Sequence, residues 1–124
     1  MGGERRSSPR LARYCGRMAD TPWQGDACSL VEEFRAGRRS PEEELQATYA
    51  AIDNSKLNAF CYLAREEAQA AALAADTSKP FGGVPIGVKE LDQVDGWPDT
   101  HASVPFKDKI ATYTSTNAAR ARDI

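Results

Sequence analysis

The chain has 124 residues, a formal net charge of −2 and 27% charged residues, which is an ordinary composition for a globular domain. Residues 18–124 are net acidic, so we expect no nucleic-acid partner, because phosphate contacts require clustered lysine and arginine. No apolar run approaches the roughly 18 residues that span a bilayer, and the sequence lacks a secretory signal. We therefore expect no membrane association and a cytoplasmic location.

The three cysteines are widely spaced, which predicts neither a disulfide framework nor a zinc site and is typical of a reducing compartment. We expect no metal and no cofactor. Residues 1–17 hold five arginines against one glutamate, the composition either of an organellar transit peptide or of a segment upstream of a start at Met18, which we favour. The expected organisation is a basic, disordered extension over 1–25 and an N-terminal fragment of a domain over 26–124.

Two helices with capping signals open the domain. In the first, Ser29 is the predicted N-cap with Glu32 three residues later, and Gly37 is the predicted stop. It would bury three apolar side chains, Leu30, Val31 and Phe34. In the second, Ser40 and Glu43 form a capping box behind which Leu45, Tyr49 and Ile52 share one face up to Asn54, with Pro41 at the first helical position.

Two short apolar segments, 57–63 and 84–91, are predicted as strands, with Cys61 as a small core residue in the first. An alanine-rich helix over 65–75 separates them, and a final helix begins at Thr114, Ser115 or Thr116. This order predicts an α/β fold that is incomplete as it stands, because two strands do not make a stable open sheet. The core should be thin, because alanine buries little area.

Chemistry concentrates in residues 82–90, where a lysine, Lys89, ends an apolar segment that begins with two glycines. A phosphate-binding loop is rejected, because Val88 separates Gly87 from the lysine and Glu90 stands where a hydroxyl is needed. Residues 83–90 resemble the G-[IV]-P-[IL]-x-[IV]-K-[DE] segment of the amidase-signature family. Flanking segments resemble that family in the same order, at 57–60, 68–76, 96–103 and 111–123, so the resemblance covers roughly 29–123.

The resemblance implies a mixed-sheet α/β/α fold and a Ser–cis-Ser–Lys amide hydrolase acting on a small-molecule amide. Lys89 would be the catalytic lysine, which in its neutral form takes a proton from a bridging serine. A lysine base requires a strongly lowered pKa, which burial provides, and the apolar residues before Lys89 suit burial. Alternation along a strand would place Glu90 on the opposite face.

The family's serines lie in a glycine- and serine-rich region that this sequence does not contain, so we expect the chain alone to be inactive. Two alternatives remain open. One is a subunit of a tRNA-dependent glutamyl amidotransferase, although residues 91–97 look more like those of general amidases. The other is a non-enzymatic interaction module that uses an unfinished sheet edge.

Several other residues near Lys89 have side chains that can serve either in a functional site or in ordinary packing. His101, the single histidine, lacks a recognisable nucleophile partner and is expected to be non-catalytic. Trp97 either lines a substrate groove with Pro98 or packs in the domain. Three aspartates that follow the lysine lack the pattern of a calcium loop, so metal binding is not expected; they are Asp92, Asp95 and Asp99.

Overall fold

The computed structural model describes residues 21–124. This part of the chain forms four α helices and one short 3-10 helix. In chain order these are α1 (Ala27–Arg35), α2 (Pro41–Asn54), α3 (Arg65–Leu73), the 3-10 helix Val104–Phe106 and α4 (Thr116–Asp123). Between residues 21 and 124 no β strand forms, and the backbone pairing of extended segments is limited to an isolated antiparallel bridge between Pro98 and Ile110.

Helix α1 begins one turn earlier than its sequence pattern predicts. Asp26 is the N-cap, and its carboxylate accepts the backbone N–H of Ser29 at 2.7 Å. The prediction of Ser29 as the cap is wrong, because its hydroxyl instead donates to the Asp26 carbonyl and accepts from the Trp23 indole at 3.0 Å. The helix ends before Gly37, which has a positive φ of 66°, as predicted. The predicted apolar face is also confirmed, since Leu30, Val31 and Phe34 are buried.

Helix α2 confirms the predicted capping box. The Ser40 hydroxyl accepts the Glu43 N–H at 3.1 Å, and the Glu43 carboxylate accepts the Ser40 N–H at 2.8 Å. Pro41 occupies the first helical position, where no intrahelical donor is needed. On the predicted face Leu45 is buried, whereas the two residues further along the helix are half-buried.

Helix α3 runs antiparallel to α2 and contacts it through polar groups. The Gln69 amide donates to Glu42 at 2.7 Å, and Arg65 pairs with Asp53 at 2.5 Å at the other end of the contact. The Arg65 guanidinium also lies 4.5 Å from the centre of the Tyr49 ring. The helix ends at Leu73, two residues before the predicted end, and none of its residues is buried. Its alanine face is therefore only partly covered by the residues that the structure describes.

The two predicted strands are wrong for the structure of this chain. Residues 57–63 and 84–91 have irregular backbone, and within residues 21–124 neither has a partner strand to bond its N–H and C=O groups. The two segments do lie side by side, since a Cβ atom on Gly87 would be 3.7 Å from the Phe60 ring. Their apolar side chains remain exposed, Leu57 by 84% and Ile86 by 52%. The expectation that Cys61 is a core residue is also wrong, because it is exposed.

The buried core is small, as the alanine content predicts. Among residues 21–124 it consists of eight apolar side chains, of which three are alanines: Leu30, Val31, Phe34, Leu45, Ala47, Val94, Ala111 and Ala118. Since burial stabilises in proportion to apolar area, this core holds the described region with little margin.

Helix α4 has Ser115, one of the three predicted residues, as its N-cap, which accepts the Ala118 N–H at 3.3 Å. Its C-terminal end lies against the loop before the lysine segment. The Lys79 ammonium donates to the Asp123 carbonyl at 3.0 Å, and the Phe81 N–H donates to the Ile124 carbonyl at 3.0 Å. Both ends of α4 therefore contribute to the surroundings of residues 82–92.

Candidate active-site segment around Lys89

Two glycines allow the lysine segment to pass close to its neighbours. Gly83 has a φ of +88°, and a Cβ atom there would lie 2.5 Å from the Pro41 ring at the start of α2. A Cβ atom on Gly82 would overlap the Asp76 carbonyl oxygen. Both positions therefore exclude a side chain, the first through its backbone conformation as well as its contact.

Lys89 is exposed and begins a tight turn, in which its carbonyl accepts the Asp92 N–H at 2.8 Å. Within residues 21–124 its ammonium has no hydrogen-bond or ion-pair partner. The apolar surroundings expected from the sequence are not present, because the residues before it lie in irregular backbone rather than in a covered strand.

Glu90, the residue after the lysine, is held by a turn ten residues further along the chain. Its carboxylate accepts the Thr100 hydroxyl. This bond, together with the nearby backbone N–H groups of Ala102 and Thr100, holds the pKa of Glu90 below its ordinary value. His101 and Ala102, in the same turn, both have positive φ, at 50° and 52°. Residues 100–102 are called the Glu90 cradle below.

Within residues 21–124 the carboxylate of Glu90 makes no ion pair with Lys89. The predicted strand alternation does not apply, because no strand forms here. Instead, the carboxylate accepts the Thr100 hydroxyl of the cradle. The sequence carries no signal for this arrangement, since residues ten apart meet only through the tertiary fold.

Asp92 fixes the other end of the lysine turn. Its carboxylate accepts the Ser115 hydroxyl and the Asn117 amide, both at 3.2 Å, at the N-terminal end of α4. The lysine turn is therefore attached on one side to the Glu90 cradle and on the other side to a helix.

Asp99 is buried, with 3% exposure, and joins several segments. It pairs with Lys109 at 2.8 Å and with His101 Nε2 at 2.7 Å, and it accepts the Gln93 amide at 3.4 Å. The Lys109 hydrogen bond is the largest cause of the lowered pKa of Asp99, and desolvation opposes it. The contact with Asp99 thus gives His101 a structural role.

The sequence pattern considered Asp99 only as a possible metal ligand and did not predict its place in the fold. Between residues 21 and 124 no three His, Cys, Asp or Glu side chains lie close enough to hold a metal ion.

Trp97 packs within the domain. Its ring lies 5.4 Å from the Tyr62 ring, its indole N–H donates to Glu67 at 3.1 Å, and the Arg122 guanidinium lies 5.8 Å from its centre. These contacts join the segment before α3, α3 itself and α4. Of the two roles considered for Trp97, the structure shows packing.

A shallow cleft of about 220 Å³ lies beside the first part of the motif, where Val84 and Pro85 form one wall. The opposite wall includes Trp23 and the buried Glu44, whose carboxylate oxygens accept the Trp23 N–H at 3.1 Å. The Arg39 Nε lies 2.6 Å from Glu44 Oε2, an ionic contact without hydrogen-bond geometry. Arg39 therefore balances the charge of Glu44, while the other acid that lines the cleft, Asp26, caps α1.

In the part of the chain that the structure describes, neither Ser103 nor Ser115 makes a hydrogen bond to Lys89. Ser115 caps α4 and donates to Asp92, while Ser103 precedes the 3-10 helix. Neither lies in a glycine-rich segment. The helices formed by residues 21–124 are too short or too polar to cross a membrane.

The Amidase family model matches residues 43–123, a range that includes Lys89 and the Glu90 cradle. Among curated relatives, a glutamyl-tRNA(Gln) amidotransferase subunit from Akkermansia muciniphila is 35% identical over 95 residues, covering 76% of this chain and 20% of the relative. An acylamidase from Rhodococcus erythropolis is 31% identical over 105 residues, covering 77% of this chain and 22% of the relative.

A further glutamyl-tRNA(Gln) amidotransferase subunit, from Rhizorhabdus wittichii, is 38% identical over 94 residues, which is 70% of this chain and 19% of that protein. The chain thus spans about one fifth of the length of these relatives. No solved structure matches it. The family match covers more than half of the chain and contains the lysine motif, and the chain therefore belongs to the amidase family.

Proposed function

We propose that this chain supplies the general-base lysine, Lys89, of an amide hydrolase that acts by Ser–cis-Ser–Lys chemistry on a small-molecule amide. The observation that carries the proposal is the motif at 83–90, which lies inside the segment matched by the Amidase family model. The acylamidase among the relatives supports activity on a carbon–nitrogen bond.

In this mechanism the neutral amine of Lys89 accepts a proton from a bridging serine, which in turn takes the proton of a nucleophilic serine. The nucleophile attacks the amide carbonyl, the amine leaves with a proton, and water releases the acid from the acyl-enzyme. The family resemblance places both serines in a glycine- and serine-rich region that residues 1–124 do not contain. We therefore expect residues 1–124 alone to hydrolyse no amide.

We further propose that segments 57–63 and 84–91 become strands of a mixed sheet when the remainder of an amidase domain is present. Their exposed apolar side chains and unpaired backbone groups are the features of an uncovered sheet edge. Pairing would also cover the residues before Lys89 and provide the surroundings in which a lysine can lose its proton.

The test is a fusion of residues 1–124 to the part of the Rhodococcus erythropolis acylamidase that follows its matched segment, assayed for release of amine from simple amides. Lys89→Met should lower turnover by about 10²–10⁴-fold, the range for loss of a general base. Lys56→Met, at another exposed lysine, is the matched control and should leave turnover unchanged. A Lys89→Met fusion that is as active as its parent would refute the role of Lys89.

A second candidate function is that of a glutamyl-tRNA(Gln) amidotransferase subunit, the description carried by the relatives from Akkermansia muciniphila and Rhizorhabdus wittichii. Residues 91–97 favour a general amidase, whereas these relatives favour the amidotransferase. A fusion built on the Akkermansia muciniphila protein decides between them. Glutamine hydrolysis that depends on co-purified partner proteins would support the second function, and partner-independent hydrolysis of simple amides the first.

The third possibility, a non-enzymatic interaction module, requires the exposed segments to bind another protein without any catalysis. It predicts that Lys89→Met does not change the affinity of the chain for its protein partner. It also predicts that no fusion with a relative hydrolyses an amide. Turnover by either fusion that depends on Lys89 would exclude it as the sole function.

A further inference from the structure

The Glu90 cradle has a consequence for the neighbouring lysine. A carboxylate directly beside a lysine in an exposed turn is normally free to approach the ammonium, and such a contact favours the charged form. Here the carboxylate accepts the Thr100 hydroxyl, and Lys89 has no hydrogen-bond or ion-pair partner within residues 21–124.

We propose that Glu90 is a positioning residue for Lys89, and that the cradle at residues 100–102 keeps its carboxylate away from the ammonium while fixing the turn that carries the lysine. The inference rests on the proposed function of Lys89 as a base. Two separate effects follow. The turn is held at a defined place, and the adjacent negative charge is prevented from stabilising the protonated lysine.

The cradle is a turn of defined backbone conformation. His101 and Ala102 adopt positive φ, which costs free energy for residues other than glycine. From this turn the Thr100 hydroxyl donates to the Glu90 carboxylate. The buried Asp99 holds the same turn from the other side through His101 Nε2 and through Lys109.

Amine reactivity tests the inference without requiring catalysis. The wild-type chain and its variants are treated with a small acylating reagent, and modification of Lys89 is measured by peptide mass spectrometry relative to Lys56, an exposed internal reference. Only the neutral amine reacts, so the ratio reports how strongly nearby charges hold Lys89 in its protonated form.

The proposal predicts opposite effects of two substitutions. Thr100→Val removes the hydroxyl but leaves Glu90 charged, so the released carboxylate can approach Lys89 and should lower the reactivity ratio by roughly twofold. Glu90→Gln removes the charge, so the ratio should be unchanged or higher, and Glu90→Gln should also abolish the effect of Thr100→Val in the double variant. Thr100→Ser keeps the hydroxyl and should restore the wild-type ratio.

A merely structural role for Glu90 would change the ratio in the same direction in both single variants, because both would loosen the turn. That result, or a ratio unaffected by Thr100→Val, would overturn the proposal. Circular dichroism of each variant establishes that the helices remain. If Thr100→Val does not fold, Thr100→Ala takes its place with the same expected decrease. Because no turnover is measured, loss of the proposed activity in the fusions would leave this result standing, and the two failures can be told apart.

Discussion

Replacing Gly83 by alanine should destabilise the chain more than the same change at a glycine with open surroundings. The positive φ of 88° costs an alanine about 1–2 kcal/mol. The new Cβ would also lie 2.5 Å from Pro41 Cγ, a ring carbon that cannot rotate away, and such overpacking costs about 1–3 kcal/mol. The expected loss in free energy of unfolding is therefore about 2–5 kcal/mol.

Gly96 provides the matched control, since its φ of +81° is similar and nothing lies within 4 Å of the position of its Cβ. Gly96→Ala should lose only the conformational part, about 1–2 kcal/mol. The assay is urea unfolding followed by far-ultraviolet circular dichroism, with the slope of the transition held constant across variants. In the double variant Pro41→Ala/Gly83→Ala, part of the Gly83→Ala loss should be recovered. Equal losses for Gly83→Ala and Gly96→Ala would show that the contact with Pro41 has no energetic weight.

Three further predictions concern a helix cap, a buried ion pair and an aromatic contact of the domain. Ser40→Ala removes one half of the capping box and should lower the free energy of unfolding by about 1 kcal/mol in the same urea assay, whereas an unchanged midpoint would contradict the capping geometry. The pKa of Asp99 is lowered from its ordinary 3.8, so the stabilisation by its carboxylate is present above pH 3.8 and is lost as the pH falls below that value toward its folded pKa. The difference in free energy of unfolding between wild type and Asp99→Asn should therefore shrink on acidification. A difference independent of pH would refute this. Trp97→Phe keeps the ring but removes the indole N–H bonded to Glu67, so it should cost about 0.5–1.5 kcal/mol, less than Trp97→Ala, and equal losses would mean that ring packing contributes nothing.

The sequence was most informative where a structure is specified by residues close together in the chain. The capping box at Ser40 and Glu43, the stop at Gly37 and the apolar face of α1 are all formed as predicted, because each depends on contacts within one or two helical turns. The N-cap of α1 was misplaced because two capping residues, Asp26 and Ser29, compete three positions apart. The family was predicted from an eight-residue motif and its ordered flanks, and the family match confirms it.

Only the tertiary structure decided the state of the apolar segments and the environment of the lysine. Alternation and composition predict strands at 57–63 and 84–91, but a strand exists only when a neighbour bonds its backbone, and residues 21–124 provide none. The contact of Glu90 with Thr100 and the contacts of Asp99 with Gln93 and Lys109 likewise join residues six to ten positions apart, beside a turn whose positive φ values no local pattern indicated. The sequence by itself thus determined the helices and the family, whereas the role of Lys89 as the base stays a prediction. The fold decided which charges stand beside that base, because electrostatic contacts depend on distances in space rather than along the chain.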